Sequence, residues 1–255
     1  MVSAKRPHAS VRSLAAAVLC VLALTGRPAN AEPFAWPQPE GPGTPVVLTY
    51  SFINLFSSNF QGISELQLRA ATAEAFRVWT IYAPLHFVER PDSGPPAGDE
   101  EYGPDGHPDI RIGAHGEDGA LVLAHAFLPL ATTVSGLAGD IHFNSDSILD
   151  WGIGDGLPNI DFLEVLVHEI GHALGLGHVD GEDAIMNPFH GFRFERSRVF
   201  LLPSDIAAVR AIYGAGMGSV QPIPEPSTLI LVSAGALVGL VRRSLTSAGR
   251  RSAPS

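Results

Sequence analysis

The sequence predicts an α+β fold in which short strands and three helices share one core. Three observations lead to this prediction. Segments rich in β-branched and aromatic residues, such as 46–52, alternate with loops rich in proline and glycine. Two other segments, which begin at Ser64 and Pro203, carry the residues that start helices. A third helix, ahead of His178, is predicted by histidines spaced four residues apart.

The first 31 residues have the composition of a secretory signal peptide. Basic residues are followed by an apolar run over 14–24 and by the small-residue cleavage site Ala29-Asn-Ala31. The apolar run is too short to span a membrane as a helix. It contains Cys20, the only cysteine, so we expect neither disulfides nor thiolate ligands in the processed protein. Residues 32–45, rich in proline and glycine, predict an extended arm.

The first half of the domain is predicted to alternate strands with one helix. Strands are expected at 46–52, 85–89 and 109–112, with an exposed loop over 91–108. The capping box Ser64-Glu-Leu-Gln67 opens the helix, and Pro84 follows its end. Its apolar residues recur every three or four positions: Leu66, Ala70, Ala73, Phe76 and Thr80.

Residues 115–147 concentrate histidines and acids. His125 and His142 lie in short apolar runs, 123–127 and 140–143, that predict strands. Histidines in such runs are usually packed core residues. Three histidines with nearby acids also match the ligands that zinc prefers, so a second metal site is the other interpretation. The residues concerned are His115, Glu117, Asp118, His125, Asp140 and His142.

The segment His168-Glu-Ile-Gly-His172-Ala-Leu-Gly175-Leu-Gly-His178 carries the strongest chemical signal. Side chains four apart lie on one helix face, so His168 and His172 can hold one ion. Glu169 is then placed to handle the water of that ion rather than to bind it. Gly175 can turn the chain through a positive φ and deliver His178 as the third ligand. Three neutral imidazoles leave a fourth zinc position open, as in catalytic sites.

The residues before and after this motif predict a helix cap, a turn that contains Met186 and a last helix. Asn159 or Asp161 can cap the helix. Met186 follows eight residues after the last histidine, within Ala184-Ile-Met-Asn-Pro188. The last helix begins at Pro203-Ser204-Asp205 and ends at Gly214. Apolar residues expected to face the core from these two helices are Leu163, Leu166, Val167, Ile170, Leu174, Ile206, Val209 and Ile212.

Charge is distributed unevenly along the chain. Residues 32–226 hold 8 basic and 26 acidic groups, a net charge of −18, and contain no lysine. A body this acidic argues against nucleic-acid binding. We interpret the acidity mainly as solubility, with some acids available to cations.

The C-terminal part divides into three segments. Residues 217–223 predict a linker because they contain glycine, proline and polar residues without a helical or strand period. Residues 224–245 begin with Pro224-Glu-Pro226-Ser-Thr-Leu, continue as an apolar stretch and reach Arg242-Arg243. The stretch is short for a membrane span and fits a processed sorting segment, with an ordinary C-terminal anchor as the alternative. Residues 246–255 form a basic tail.

Matching pieces spread over residues 46–214 resemble the catalytic domain of the matrixins, the matrix-metalloproteinase branch of the metzincins. The resemblance implies a zincin-like fold with a twisted, mixed five-stranded sheet and three helices, and a catalytic domain over 46–216. It also implies that a peptide lies extended along the edge strand and that Met186 lies beneath the metal. The pieces are 75–79 with 84–85, 123–127, 139–143, the histidine motif, 185–188 and 212–214.

The same resemblance implies a structural zinc and raises a calcium site. The structural zinc ligands map to His115, Glu117, His125 and His142, with glutamate where the family has aspartate. Of the calcium-loop residues, Asp118-Gly119 and Asp140 are retained, whereas Asn144 and Ser147 replace acids. Val179 stands where the family has a serine, and the cysteine-switch propeptide is absent.

A second resemblance concerns residues 224–245, which are similar to the PEP-CTERM signal of Gram-negative bacteria. It implies export, processing by an exosortase, transient contact with the membrane, and residence at the cell surface or in the extracellular matrix.

These features together predict a secreted zinc endopeptidase. A zinc-activated water would attack the peptide bond, Glu169 would act as general base, and the loop from Asn187 to Leu202 would wall the pocket for the residue after the cut. Two alternatives remain open from the residues alone. One is a non-catalytic surface or matrix protein that binds through this domain. The other is a zinc hydrolase of a non-peptide amide.

Overall fold

The computed structural model describes most of the predicted catalytic domain. The predicted signal peptide and the PEP-CTERM-like segment lie outside the described residues. Within the described residues, no helix is both long and apolar enough to cross a bilayer. The described residues are 34–58, 60, 62–98, 100, 102–103, 106–116, 122–129, 136–146, 150–154, 160–179, 184–188 and 199–223.

A mixed sheet forms one layer of the domain, and the predicted α+β class is confirmed. Its central strand β1 (Val46–Phe52) pairs in parallel with β2 (Leu85–Glu89) and with β3 (Ile110–His115). On the other side of β3 lies β5 (Ile141–Asn144), also parallel, and the edge strand β4 (Ala124–Ala126) runs antiparallel to β5.

Among the described residues the sheet has six strands, whereas the resemblance implied five. The sixth, β8 (Ser219–Gln221), lies next to β2, at the edge opposite β4. It falls within 217–223, which we expected to be a linker. The N–H of Gly218 donates to the Thr80 carbonyl at 2.8 Å, and the Ser219 hydroxyl lies 2.9 Å from His86 Nδ1. A three-residue strand is too short for sequence alternation to reveal it.

Two further short strands also escaped prediction. Strand β6 (Trp151–Gly152) pairs in parallel with β7 (Ile160–Asp161) as a separate two-stranded sheet. Strand β7 runs directly into the histidine helix, so it helps to fix where that helix begins.

Helix α1 (Glu65–Thr80) begins at the predicted capping box. Of the predicted apolar series, Phe76 and Thr80 are buried, whereas the N-terminal members Leu66 and Ala70 are exposed. Leu66 is 67% exposed, whereas Leu68 and Trp79 are buried. Both leucines begin a series with helical spacing. The series that contains Trp79 faces the core because the indole buries the larger apolar area. Its Nε1–H also donates to the Val167 carbonyl at 3.0 Å, which ties α1 to the histidine helix.

Helix α2 (Phe162–Ala173) is buried along its whole length. Asp161, one of the two predicted caps, accepts the Leu163 N–H at 2.9 Å; Asn159 lies outside the described residues. Phe162 stacks on Phe143 of β5, with ring centroids 4.5 Å apart, so the helix start is packed on the sheet. A helix buried on every side holds polar side chains such as histidine only where they have partners or a ligand.

Helix α3 (Pro203–Tyr213) is the last helix of the described residues, and Gly214 lies at its C-terminus. Of the three residues expected to face inward, Val209 is fully buried, while Ile206 and Ile212 are half-buried against the core. Asp205 and Tyr213 are fully buried as well, which the apolar pattern did not predict.

The N-terminal arm is packed on the domain, and it is not extended throughout. Tight turns occupy residues 39–43, where Gly41 has φ 102°. Gln38 Nε2 donates to the Ile212 carbonyl at 2.9 Å, and Trp36 N–H donates to the Tyr213 hydroxyl at 3.2 Å. The arm therefore lies against the end of α3.

Candidate metal centre

Two histidines of α2 present the same ring nitrogen to one point. His168 donates from Nδ1 to the Ile185 carbonyl at 2.6 Å, and His172 donates from Nδ1 to the Leu176 carbonyl at 2.8 Å. A carbonyl only accepts, so in both neutral rings the proton sits on Nδ1 and Nε2 carries a lone pair. The two Nε2 atoms lie 3.0 Å apart.

This arrangement fits a cation between the rings. Two lone pairs that face each other at 3.0 Å repel unless a positive ion lies between them. The Nε2 atom of His178 lies 3.0 Å from that of His172, which completes a three-nitrogen set. Nitrogens bound to a tetrahedral zinc at 2.0–2.1 Å lie roughly 3.3 Å apart, close to the observed spacing. Three imidazoles suit zinc and do not suit calcium, which takes oxygen ligands.

Burial keeps the second histidine neutral. It lowers the pKa of His172 to about 4, with a smaller contribution from His178 and an opposing one from the Leu176 carbonyl. Metal binding requires the neutral ring, so at neutral pH this ligand is already in its binding form.

The turn after α2 places the third histidine. Gly175 has φ +95°, and a Cβ there would overlap the carbonyl oxygen of Phe34. Gly175 N–H donates to the His172 carbonyl at 2.8 Å, and Leu176 N–H donates to the Gly171 carbonyl at 2.9 Å. These two bonds form a Schellman motif, which requires the left-handed residue that glycine supplies. Gly175 thus makes the turn that the sequence predicted, with a positive φ, just ahead of His178.

The N-terminal arm and α3 supply contacts to the same turn that the sequence did not predict. Trp36 Nε1–H donates to the Ala173 carbonyl at 2.8 Å, and the Tyr213 hydroxyl donates to the Leu174 carbonyl at 2.9 Å. Both carbonyls belong to the last helical turn, which lacks intrahelical donors. The partners lie 137 and 39 residues away in sequence, so no local pattern could reveal them.

Glu169 lies between the two helical ligands and is fully buried, with 0% exposure. Its place in the sequence puts it one residue after His168, on a helix face about 100° further round. Its role as a general base stays a prediction.

The turn that contains Met186 (residues 184–188, here called the methionine turn) is held by contacts with α2 and with Asp205 of α3. Met186 is fully buried, and its sulfur occupies the space that a Cβ on Gly171 would fill, directly under α2. Asp205 accepts the backbone N–H groups of Ile185 at 3.0 Å and Met186 at 3.2 Å. It also accepts the N–H of Leu202 at 2.9 Å. Asp205 was predicted only as part of a helix start, and its buried side chain instead anchors the turn.

A second set of histidines gathers at the sheet edge. His125 of β4 pairs directly with His142 of β5, and His115 ends the neighbouring β3. His115 Nε2 lies 3.3 Å from His142 Nδ1. One ring nitrogen from each of the three histidines lies within 4.8 Å of the other two. Burial, with smaller effects of His125, His115 and Arg111, lowers the pKa of His142 to about 3. Three imidazole nitrogens this close together fit zinc, which favours the metal interpretation over simple core packing. Glu117, the fourth expected ligand, lies outside the described residues.

Two of the calcium-loop positions raised by the resemblance, Asp140 and Asn144, lie among the described residues. Asp140 is buried, and its Oδ2 accepts the Tyr102 hydroxyl at 2.6 Å, while its Oδ1 accepts the Arg111 N–H at 3.2 Å. The Asn144 amide donates to the Val122 carbonyl at 2.8 Å, and its oxygen accepts the Asp146 N–H. Asp118, Gly119 and Ser147 lie outside the described residues. Among the described residues of this set, the side-chain oxygens are engaged by protein groups.

Comparisons with known proteins agree with this geometry. A family model described as Matrixin matches residues 42–214. The chain is 36% identical to mouse stromelysin-3 over 172 residues, which is 64% of this chain and 30% of that protein. It is 34% identical to rabbit macrophage metalloelastase over 194 residues, covering 72% and 37% of the two chains. It is 37% identical to matrix metalloproteinase-C of Caenorhabditis elegans over 180 residues, covering 67% and 28%. The matches therefore span roughly a third of each relative.

Proposed function

Because the chain belongs to the matrixin family, we propose that it is a zinc-dependent endopeptidase that hydrolyses peptide bonds in proteins. The observation that carries the proposal is the convergence of three Nε2 atoms, with two of the rings fixed by Nδ1 hydrogen bonds to backbone carbonyls. The relatives matched are named as metalloproteinases or a metalloelastase.

The proposed chemistry divides between the ion and one side chain. His168, His172 and His178 hold the zinc. Bound zinc lowers the pKa of its water and polarises the scissile carbonyl. Glu169 takes the proton of that water and delivers it to the leaving amine. The full burial of Glu169, one residue after the ligand His168, supports this role.

We place the substrate along β4. Among the described strands β4 is the last in the sheet order, which is the position that the resemblance implies for the strand that binds an extended peptide. Residues 189–198, from the loop that the sequence predicts to wall the pocket, lie outside the described residues. The preference for the residue after the cut is therefore left to experiment.

The test is a digest of an unbiased peptide library by the zinc-loaded protein. Cleavage at internal peptide bonds, lost on zinc removal and restored by zinc, is the expected result. No cleavage, with zinc bound and the fold intact, would favour a non-catalytic binding protein. Hydrolysis restricted to non-peptide amides in a parallel screen would instead favour the other alternative.

We further propose that the protein is exported and sorted in a Gram-negative host. Residues 1–31 support export through the signal peptide. Residues 224–245 support processing by an exosortase, transient contact with the membrane, and a final place at the cell surface or in the extracellular matrix. Truncation after Ile223 in such a host should release enzyme to the medium without a membrane-held intermediate. A membrane-held truncated form would contradict the assignment.

A further inference from the structure

A buried cation lies behind the second histidine cluster. The side chain of Arg111 in β3 has 0% exposure. Its Nε–H donates to Asp92 Oδ2 at 2.6 Å and its Nη2 donates to the Pro95 carbonyl at 2.7 Å. Its Nη1 lies 3.7 Å from Asp140 Oδ2. One guanidinium thus faces two buried carboxylates, whose side chains are 2% and 1% exposed. We predicted the loop over 91–108 to be exposed, yet Asp92 anchors it inward.

The remaining contacts complete an enclosed site. The Tyr102 ring covers the guanidinium, with 4.8 Å from its centroid to Arg111 Cζ, and its hydroxyl donates to Asp140. Asp92 also accepts the Ser51 hydroxyl at 2.8 Å and the Gly94 N–H at 2.7 Å. The network joins β1, β3, β5 and the loop through charge-assisted hydrogen bonds.

Asp140 connects this network to the histidine cluster. Its Oδ2 lies 3.9 Å from His142 Nε2, while His142 Nδ1 lies 3.3 Å from His115 Nε2. His142 therefore turns Nδ1 to the cluster and Nε2 to the carboxylate. At 3.9 Å this contact is electrostatic rather than a hydrogen bond, and a carboxylate placed behind a ligating histidine favours one orientation of the ring. Asp140 lies directly before β5 and two residues before His142, so the alternation of the chain places the two side chains on the same side.

We propose that Arg111 takes the place of a divalent cation at Asp140 and positions His142 for the second zinc without calcium. Calcium needs six to eight oxygen ligands, and the Asp140 oxygens already meet a guanidinium, a phenol and a backbone N–H. A second cation beside the buried guanidinium would also be repelled. Arg111 and Asp140 are positioning residues for the histidine cluster, and they touch no substrate.

The first arm of the test uses the wild-type protein. In metal-depleted buffer supplied with zinc, the protein should retain near two zinc equivalents and the same Tm with or without millimolar CaCl2. Equilibrium dialysis against radioactive calcium should show no bound calcium. Calcium binding that raises the Tm or restores a missing zinc equivalent would overturn the proposal.

The second arm removes the guanidinium. Arg111→Ala leaves two carboxylates, the Tyr102 hydroxyl and the Pro95 carbonyl around a cavity, which is an oxygen set suited to calcium. We expect the variant to lose the second zinc equivalent and about 6 °C or more in Tm. CaCl2 should restore both quantities, whereas NaCl at equal ionic strength should not. Arg77→Ala, which breaks an exposed ion pair, is the matched control and should keep both zinc ions.

A third variant covers the case in which Arg111→Ala fails to fold in both buffers. Arg111→Lys keeps the positive charge, so it should fold and keep two zinc equivalents without calcium. Loss of the second zinc in Arg111→Lys, without recovery in CaCl2, would overturn the proposal. Retention of two zinc ions by folded Arg111→Ala in calcium-free buffer would overturn it as well. None of these readouts depends on peptide cleavage.

Discussion

At the residue scale, the site depends on groups that fix protons and orientations rather than on the ligands alone. His168 and His172 each give their Nδ1 proton to a backbone carbonyl, which leaves Nε2 free for the ion. The carbonyl that orients His168 belongs to Ile185, in the methionine turn, and Asp205 holds that turn. A substitution that displaces this turn should therefore also change the orientation of the zinc ligand His168.

Asp205→Asn tests this dependence. The carboxylate accepts three backbone N–H groups, whereas an amide offers one acceptor oxygen and turns its NH2 towards other donors. We expect a loss of about 2–4 kcal/mol in the free energy of unfolding, measured by denaturant titration of the zinc-loaded protein. Glu74→Gln, an exposed change on α1, serves as control. A loss below about 0.5 kcal/mol would remove Asp205 from this role.

The sequence predicted the metal centre better than its supports, for a physical reason. The histidines of α2 are related by the helical repeat, so their spacing alone brings them to one face. Trp36, Arg111 and Asp205 act through partners that only the folded chain brings near. Their only local signals were a lone tryptophan in a proline-rich arm, an arginine in an apolar strand and an acid at a helix start.

At the element scale, the end of α2 is where local chemistry and long-range packing coincide. The Schellman turn requires a left-handed residue at Gly175, and the arm occupies the space that a side chain there would take. The turn and the arm were predicted as separate features. On α1 local reasoning failed, because two overlapping helical series were present and only packing could choose between Leu66 and Leu68.

Gly175→Ala and Gly177→Ala form a matched pair of substitutions two residues apart. At Gly175 a Cβ meets both a positive φ and the Phe34 carbonyl, whereas at Gly177 no heavy atom of the described residues lies within 4 Å. We expect Gly175→Ala to displace His178 and lose the catalytic zinc, with a stability loss above about 2 kcal/mol. Gly177→Ala should keep the zinc. Equal zinc content in the two variants, measured by elemental analysis, would refute the role given to this turn.

At the scale of the whole molecule, the last strand of the sheet, β8, marks where the described domain ends in the sequence. The α+β class and the three described helices were predictable, because capping residues and β-rich segments mark them locally, whereas the mixed sheet was implied only by the family resemblance. The two-stranded sheet of β6 and β7, and strand β8, were not, since two or three residues carry no readable period. Strand β8 moves the end of the ordered domain past the predicted linker start.

Truncations on either side of β8 test that boundary. A chain that ends after Ile223 keeps β8 and should fold with the same Tm as the longer protein. A chain that ends after Gly218 loses β8 and the bond between Ser219 and His86. We expect it to be less stable by about 1–2 kcal/mol in thermal unfolding. Equal stability of the two truncations would mean that β8 adds nothing to the fold.

The most direct test of the proposed activity compares wild type with Glu169→Ala at equal zinc content. Glu169 is assigned to proton transfer and the three histidines to the ion, so the variant should bind zinc normally and cleave a peptide substrate about 10²–10⁴-fold more slowly in kcat/KM. Measured zinc content must match between the two proteins. Cleavage by Glu169→Ala within a factor of about three of wild type would contradict the proposed division of roles.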